Sequence, residues 1–187
     1  TLILESLGID VEVAEDTYLD QMLERFGGGF PATSVFSAYA REKVPEADPR
    51  ESPDDALVAW MEREVILFRT LEKHLVADRL VQGFDGDVDG FLRFSLSVQN
   101  RRKSRAGQAL EHHLGYIFDV FGVQCSRHPV TESGARPDFL FPGEREYHNP
   151  VTPNSLLTML GAKSTCKDRW RQVLSEAERI WPKHLLT

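Results

Sequence analysis

The hydrophobic period of this chain changes once, at Gly122, and that change constrains the fold more than any other feature. Ahead of it, apolar residues recur at helical spacing. Tyr18, Met22, Leu23 and Phe26 share one face of segment 17–26, which Gly27-Gly28-Gly29 stops, and a short helix is expected around 34–41. Ser52-Pro53-Asp54-Asp55 is a strong helix start, with an N-cap hydroxyl, Pro at the first helical position and acids facing the dipole. From there Leu57, Trp60, Met61, Ile66, Leu67, Leu71 and Leu75 carry a helix to about Leu80. After a break at 83–86, the pattern predicts a helix over 88–100 that ends in the basic run 101–107. A second helix follows from about 108 to 121, with Leu110, Leu114, Ile117, Phe118 and Phe121 on one side. Beyond Gly122 the runs 123–126, 138–141 and 156–164 are short, apolar and bounded by Gly, Pro and Asn, as buried strands are. A helix over about 167–180 comes next, then Leu185-Leu186 as the opening of another strand. The expectation is an α/β chain with a helical N-terminal half.

At 187 residues, with 41% hydrophobic and 27% charged residues, the chain has the length and composition of one ordinary globular domain. No window approaches the roughly 18 apolar residues of a membrane span, and residues 1–13 carry too many acids for a signal peptide. A soluble, cytoplasmic protein without a membrane partner is expected. Cys125 and Cys166 are too few for a disulfide framework and read as reduced thiols. The missing initiator Met and the strand-like ending Lys183-His184-Leu185-Leu186-Thr187 suggest an excised segment, with 1–16 a linker from an upstream domain and the C-terminal end incomplete.

The net charge of −7 hides an asymmetry: residues 1–98 carry −11 and residues 99–187 carry +4. Screening confines phosphate attraction to a Debye length of about 8 Å, so a basic groove on an acidic protein can still bind DNA. The basic half also holds Arg136-Pro137-Asp138 at the start of one predicted strand and Lys163 near the end of another. Metal-dependent phosphodiester hydrolysis needs carboxylates for a hard cation, and a second cation to orient water and offset charge on the phosphorane. Asp138 and Lys163 meet that need if their strands pair. The common nuclease pattern has an acid two residues before the Lys, where this chain has Gly161. Glu176, on the following helix, is a replacement, sharing a helical face with Arg169 and Val173. Spacing alone equally allows Asp138 as a turn cap, Lys163 as an edge-strand cation and Glu176 as solvated surface.

Lys167-Asp168-Arg169 opens the last helix and could read a G·C pair in the major groove, Arg donating to guanine and Asp accepting from cytosine; a solvated helix start fits as well. Arg101-Arg102-Lys103-Ser104-Arg105 is either a phosphate clamp or a solvated loop. Glu111 could serve a second metal, though such a Glu is more often surface. The six His, including His112-His113, show no metal-ligand spacing. Tyr147-His148-Asn149 lies in the loop between the Asp and Lys strands, and Trp170 is expected to pack its helix onto the sheet.

The segments 97–107, 137–142 and 160–174, above all Leu160-Gly161-Ala162-Lys163-Ser164-Thr165-Cys166-Lys167-Asp168-Arg169-Trp170-Arg171, closely resemble the catalytic C-terminal domain of the EcoRII type II restriction endonucleases, within the PD-(D/E)XK superfamily. Looser similarity reaches back through 30–33 and 59–64. The resemblance implies a restriction-endonuclease-like central mixed sheet flanked by helices, residues 1–187 forming a single catalytic domain. It implies a Mg2+-dependent homodimer that cuts both strands of double-stranded DNA at a short palindrome of the CC(A/T)GG type, leaving 5′-phosphate ends. Its active site corresponds to Asp138, Lys163 and Glu176, with Asp138 and Glu176 as metal ligands and Tyr147 and Lys167 as further residues of catalysis or DNA contact. DNA binding falls to Lys167, Asp168 and Arg169 and to Arg102, Lys103 and Arg105. Relatives extrude the central base pair, and Phe36, Tyr39 or Trp60 could wall such a pocket. A cleavage-deficient DNA-binding module and a structure-selective nuclease are the competing expectations.

Overall fold

Gly27 and Gly83, at φ 70° and 69°, take the left-handed conformation that ends the helices before them. Each amide returns to a carbonyl four residues back, Gly27 to Leu23 at 2.9 Å and Gly83 to Arg79 at 3.2 Å. The computed structural model describes residues 15–164 and 170–187. The chain divides into two compact units, 1–109 and 110–187.

The first unit holds α1 (Glu15–Phe26), α2 (Thr33–Glu42), α3 (Pro53–Gln82) and the first two-thirds of α4 (Val88–Val120). Its core joins Met22 of α1, Phe36, Tyr39 and Ala40 of α2, and Leu67, Phe68 and Leu71 of α3, all at helical spacing on their own elements. The predicted interruption at 101–107 is absent, because α4 runs unbroken through it. Arg, Lys, Gln and Ala are strong helix formers, and the like charges are separated by partners: Arg102 pairs with Glu72 at 2.6 Å, while Arg105 lies against the rings of Phe30, Phe36 and Phe68.

The second unit is built on a mixed sheet, as expected, in the order β1 (Ser126–Arg127), β2 (Phe139–Phe141), β3 (Thr158–Ala162), β4 (His184–Leu186). The first two pairings are antiparallel and the last is parallel, with Phe139 opposite Leu160 and Gly161 opposite Leu185. The strand expected at 123–126 is displaced to Ser126–Arg127. Gly122 at φ 65° closes α4, with the Val123 amide donating to Phe118 O at 2.8 Å, and leaves the chain to cross to the sheet in irregular form.

Alternation along β2 covers both faces of the sheet. Phe139 and Phe141 meet Phe118 of α4 edge-on, with ring centroids 5.1 Å apart in each case. Leu140 points the other way, into a cluster with Tyr147, Leu157, Met159, Val173, Ala177 and Ile180. Tyr147, expected in a loop, lies in a short helix α5 (Glu144–His148). The predicted helix over 167–180 is confined, among the described residues, to α6 (Trp170–Ser175). Ala177 at φ 50° turns the chain so that Ile180 packs back onto the sheet, and Lys183 caps the end by donating to Leu174 O at 2.7 Å and to Glu176 O.

Candidate active site

Asp138 immediately precedes β2 and Lys163 immediately follows β3, so the antiparallel pairing of these strands brings the two side chains together. Lys163 Nζ donates to Asp138 Oδ1 at 2.9 Å and Oδ2 at 2.6 Å, and Oδ2 also accepts from Ala162 N at 2.7 Å. Both residues are buried, and Lys163 is tied to β4 through its amide, which donates to Leu186 O at 3.0 Å. A buried ion pair with this many hydrogen bonds is held in one geometry, which suits a site more than it adds stability.

Gly161 explains why the acid two residues before the Lys is missing. A Cβ there would stand 2.7 Å from Val173 Cγ2 and 3.6 Å from Leu185 Cδ1, so this register of β3 admits no side chain. Val173 fills that space from α6, and three residues further on the same turn delivers Glu176, which is 1% exposed. Among the described residues neither Glu176 oxygen has a hydrogen bond of full geometry, although the Gln172 side chain is near enough to favour its charged form. Burial pushes its carboxyl above the usual range; Lys163 opposes the shift and the Asp138 charge reinforces it. Glu176 thus lies within electrostatic reach of both.

A third carboxylate reaches the same centre from α4. Glu111 lies two helical turns before Phe118, so the face that lays Phe118 on the sheet also carries Glu111 to the Asp138 end of β2. His128 Nε2 is 2.7 Å from Glu111 Oε2, and Arg127 stands 3.8 Å from the same oxygen. Burial raises the Glu111 carboxyl, His128 pulls it down and Asp138 pushes it up again. His128 carried no signal in the sequence, because its partner is seventeen residues away across a turn.

Three carboxylates gather around the Lys163 ammonium, with Arg127 against Glu111 as a further cation. Such an oxygen-rich set, including the buried Glu176 carboxylate, fits a hard divalent cation. Asp138 and Glu176, expected as metal ligands, are both at this centre.

Tyr147 is 2% exposed and donates its hydroxyl to Glu132 at 2.5 Å; burial, and then this hydrogen bond, raise its pKa. Arg102 donates to the buried Glu72 carboxylate at 2.6 Å, and Arg105 donates to Pro31 O. Burial lowers the Arg105 pKa, opposed by Glu64. Both arginines line a cavity of about 60 Å³ within the first unit, alongside Met61, Glu64 and Phe68. Lys103 is exposed. Phe36, Tyr39 and Trp60 are all core residues no more than 2% exposed, so none presents a ring face to solvent. Lys167, Asp168, Arg169 and Cys166 lie outside the described residues, as does the side chain of Trp170.

Solved structures place the fold among the restriction endonucleases. The PspGI–substrate DNA complex superposes with a TM-score of 0.65 at 20% identity, over 91% of this chain and 66% of that one. Metal-depleted Ecl18kI with uncleaved, modified DNA gives 0.66 at 17%, over 93% and 67%. Residues 68–187 match the family model described as EcoRII C terminal, and the chain belongs to that family. The type II restriction enzyme EcoRII of Escherichia coli is 44% identical over 159 residues, 84% of this chain. The chain spans only 39% of that relative's length.

Proposed function

We propose that this chain is the catalytic part of a Mg2+-dependent type II restriction endonuclease that hydrolyses double-stranded DNA at a short palindrome of the CC(A/T)GG type, leaving 5′-phosphate ends. The observation that carries the reading is the buried Asp138–Lys163 pair with the Glu176 carboxylate beside it. Asp138 and Glu176 would hold Mg2+, which when bound neutralises phosphate charge and makes a bound water more acidic. Lys163 keeps its ammonium where it can donate to the scissile phosphate and offset the charge that develops there. Packing of Val173 against Gly161 fixes the reach of Glu176.

Arg102, Lys103 and Arg105, together with Lys167, Asp168 and Arg169, are assigned to DNA. The pairing of Arg102 with Glu72 and the seating of Arg105 among aromatic rings support a preorganised role for those two. Cleavage of both strands calls for a homodimer. Extrusion of the central base pair is part of the reading, as is residence in the cytoplasm. Tyr147 supports the site by fixing Glu132 and α5 in place.

The test is incubation of the chain, and of the longer protein containing it, with CC(A/T)GG duplexes and Mg2+. Cleavage abolished in Lys163→Ala is the expected result. Intact duplex, or cutting that survives Lys163→Ala, overturns the reading, and equal cutting of branched junctions and plain duplex would favour a structure-selective nuclease.

A further inference from the structure

Glu176 stands just outside repetitive structure. α6 ends at Ser175 and Ala177 at φ 50° reverses the chain, so the helical ladder stops short of the backbone that carries this carboxylate. The Glu176 amide donates to Val173 O at a stretched 3.4 Å. Something beyond the helix must therefore hold the turn, and the residue placed to do so is Arg179, which the proposed cleavage chemistry leaves unused. Its Nε donates to Asn154 Oδ1 at 3.0 Å and its Nη2 to Thr152 O at 2.8 Å, while Nη1 donates to Tyr147 O and, at 3.3 Å, to Asn149 O. The guanidinium carbon lies 5.5 Å from the centroid of the Tyr147 ring. Three of the four acceptors are backbone carbonyls at the end of α5 and in its connection to β3. A planar fork of five N–H donors meets so many acceptors at once, whereas an ammonium on a flexible stem does not. One residue earlier the Glu178 amide donates to Glu132 Oε2 at 3.2 Å, and the same carboxylate accepts the Tyr147 hydroxyl.

We propose that Arg179 is a positioning residue for the Glu176 carboxylate: by gathering the chain from Tyr147 to Asn154 it fixes the turn 176–180 and so holds Glu176 toward Asp138. The assignment rests on the proposed reading that Asp138 and Glu176 hold Mg2+. Two other tethers complete the arrangement. Val173 sets the reach of Glu176 on the sheet side, and Lys183 takes Leu174 O and Glu176 O from beyond the turn. The cations that act on the Glu176 charge are Lys163 and Lys183, so Arg179 works through the backbone. A ligand carboxylate held in advance does not have to be ordered when the ion arrives, and that difference appears as metal affinity.

The tests are Mg2+ binding to the whole chain by calorimetry and amide hydrogen exchange of the metal-free protein. Arg179→Lys is expected to weaken Mg2+ about 10-fold and to speed exchange of the 176–180 amides at least ~10-fold, while the β2–β3 amides exchange as in the parent. In a Glu176→Gln background the same change leaves the residual Mg2+ affinity where it was, because the ligand through which Arg179 acts is gone. Unchanged Mg2+ affinity, an equal further loss in the Glu176→Gln background, or faster exchange of sheet and turn in parallel overturns the proposal. Asn154→Ala, an exposed change that removes only the Nε acceptor, is the milder arm should Arg179→Lys fail to fold. Exchange about 3-fold faster at 176–180 is then expected, and unaltered exchange overturns the proposal too. A parent that takes up no Mg2+ and cuts no duplex removes the nuclease reading and this assignment together. A parent that does both beside an indifferent Arg179→Lys removes this assignment alone.

Discussion

Gly161→Ala isolates the packing that moved the acid of this site onto another element. The new Cβ would lie 2.7 Å from Val173 Cγ2, against carbon contacts of about 3.5–4.0 Å, an overlap of roughly 1 Å. Val173 cannot swing away, because it is 3% exposed and enclosed by Leu140, Met159 and Ala177. Overpacking of this kind costs about 1–3 kcal/mol, and replacing glycine returns about 0.4–1 kcal/mol by restricting the unfolded chain. The net loss at the middle of these ranges is about 1.3 kcal/mol, or a melting temperature lower by roughly 3–5 °C for a chain of this size. Val173→Ala alone removes two buried methyls and costs about 1.5 kcal/mol or more. Combined, the two changes relieve the clash, so thermal or urea unfolding of the four species should give a favourable coupling of about 1–2 kcal/mol. Strict additivity, or a Gly161→Ala protein as stable as the parent, refutes the reasoning. The functional arm uses Glu176→Ala with Gly161→Glu, which puts the acid back where the common nuclease pattern has it. Because that space belongs to Val173, no DNA cleavage should return; a recovered product band would refute the steric account.

Three further outcomes are expected. Burial raises the Glu176 carboxyl in the folded state, so its contribution to stability is present below the ordinary carboxylate range near 4.5 and is lost as pH rises through the elevated folded value. Without metal, Glu176→Gln should therefore melt like the parent near pH 4 and increasingly above it toward pH 8; a pH-independent difference contradicts this. Tyr147→Phe removes a buried hydroxyl from a partly exposed carboxylate and should cost about 1–2 kcal/mol in urea unfolding while cleavage under folded conditions falls only modestly. A full loss of cutting at unchanged stability would instead make Tyr147 part of the chemistry. Arg102→Gln should cost about 1–3 kcal/mol by leaving the Glu72 carboxylate buried without its partner, and adding Glu72→Gln should recover more than half of that; DNA affinity measured on the stable double variant then separates phosphate contact from packing.

The sequence by itself determined the element types and their order. Helical periodicity up to Gly122 and short apolar runs after it are local properties, set by side-chain spacing and by the backbone freedom of Gly27, Gly83 and Gly122, and they gave an α/β chain with a helical first half. Asp138 and Lys163 were also legible, because each stands at the end of a strand-like run. Local patterns misplaced what depends on distant partners. The run 101–107 looked like a loop by its charge density, yet Glu72 and three phenylalanine rings hold it helical. Local spacing carries the last helix on to about residue 180, past its end at Ser175, because nothing local marks Ala177 as left-handed. Only the tertiary structure decided why Gly161 is a glycine and why Glu176, just past the end of α6, lies in reach of Asp138: both follow from Val173 filling the face of β3. His128 was invisible for the same reason. Its meeting with Glu111 requires α4, the turn after β1 and the start of β2 to converge, and convergence of this kind is encoded in packing between elements, which no window of sequence contains.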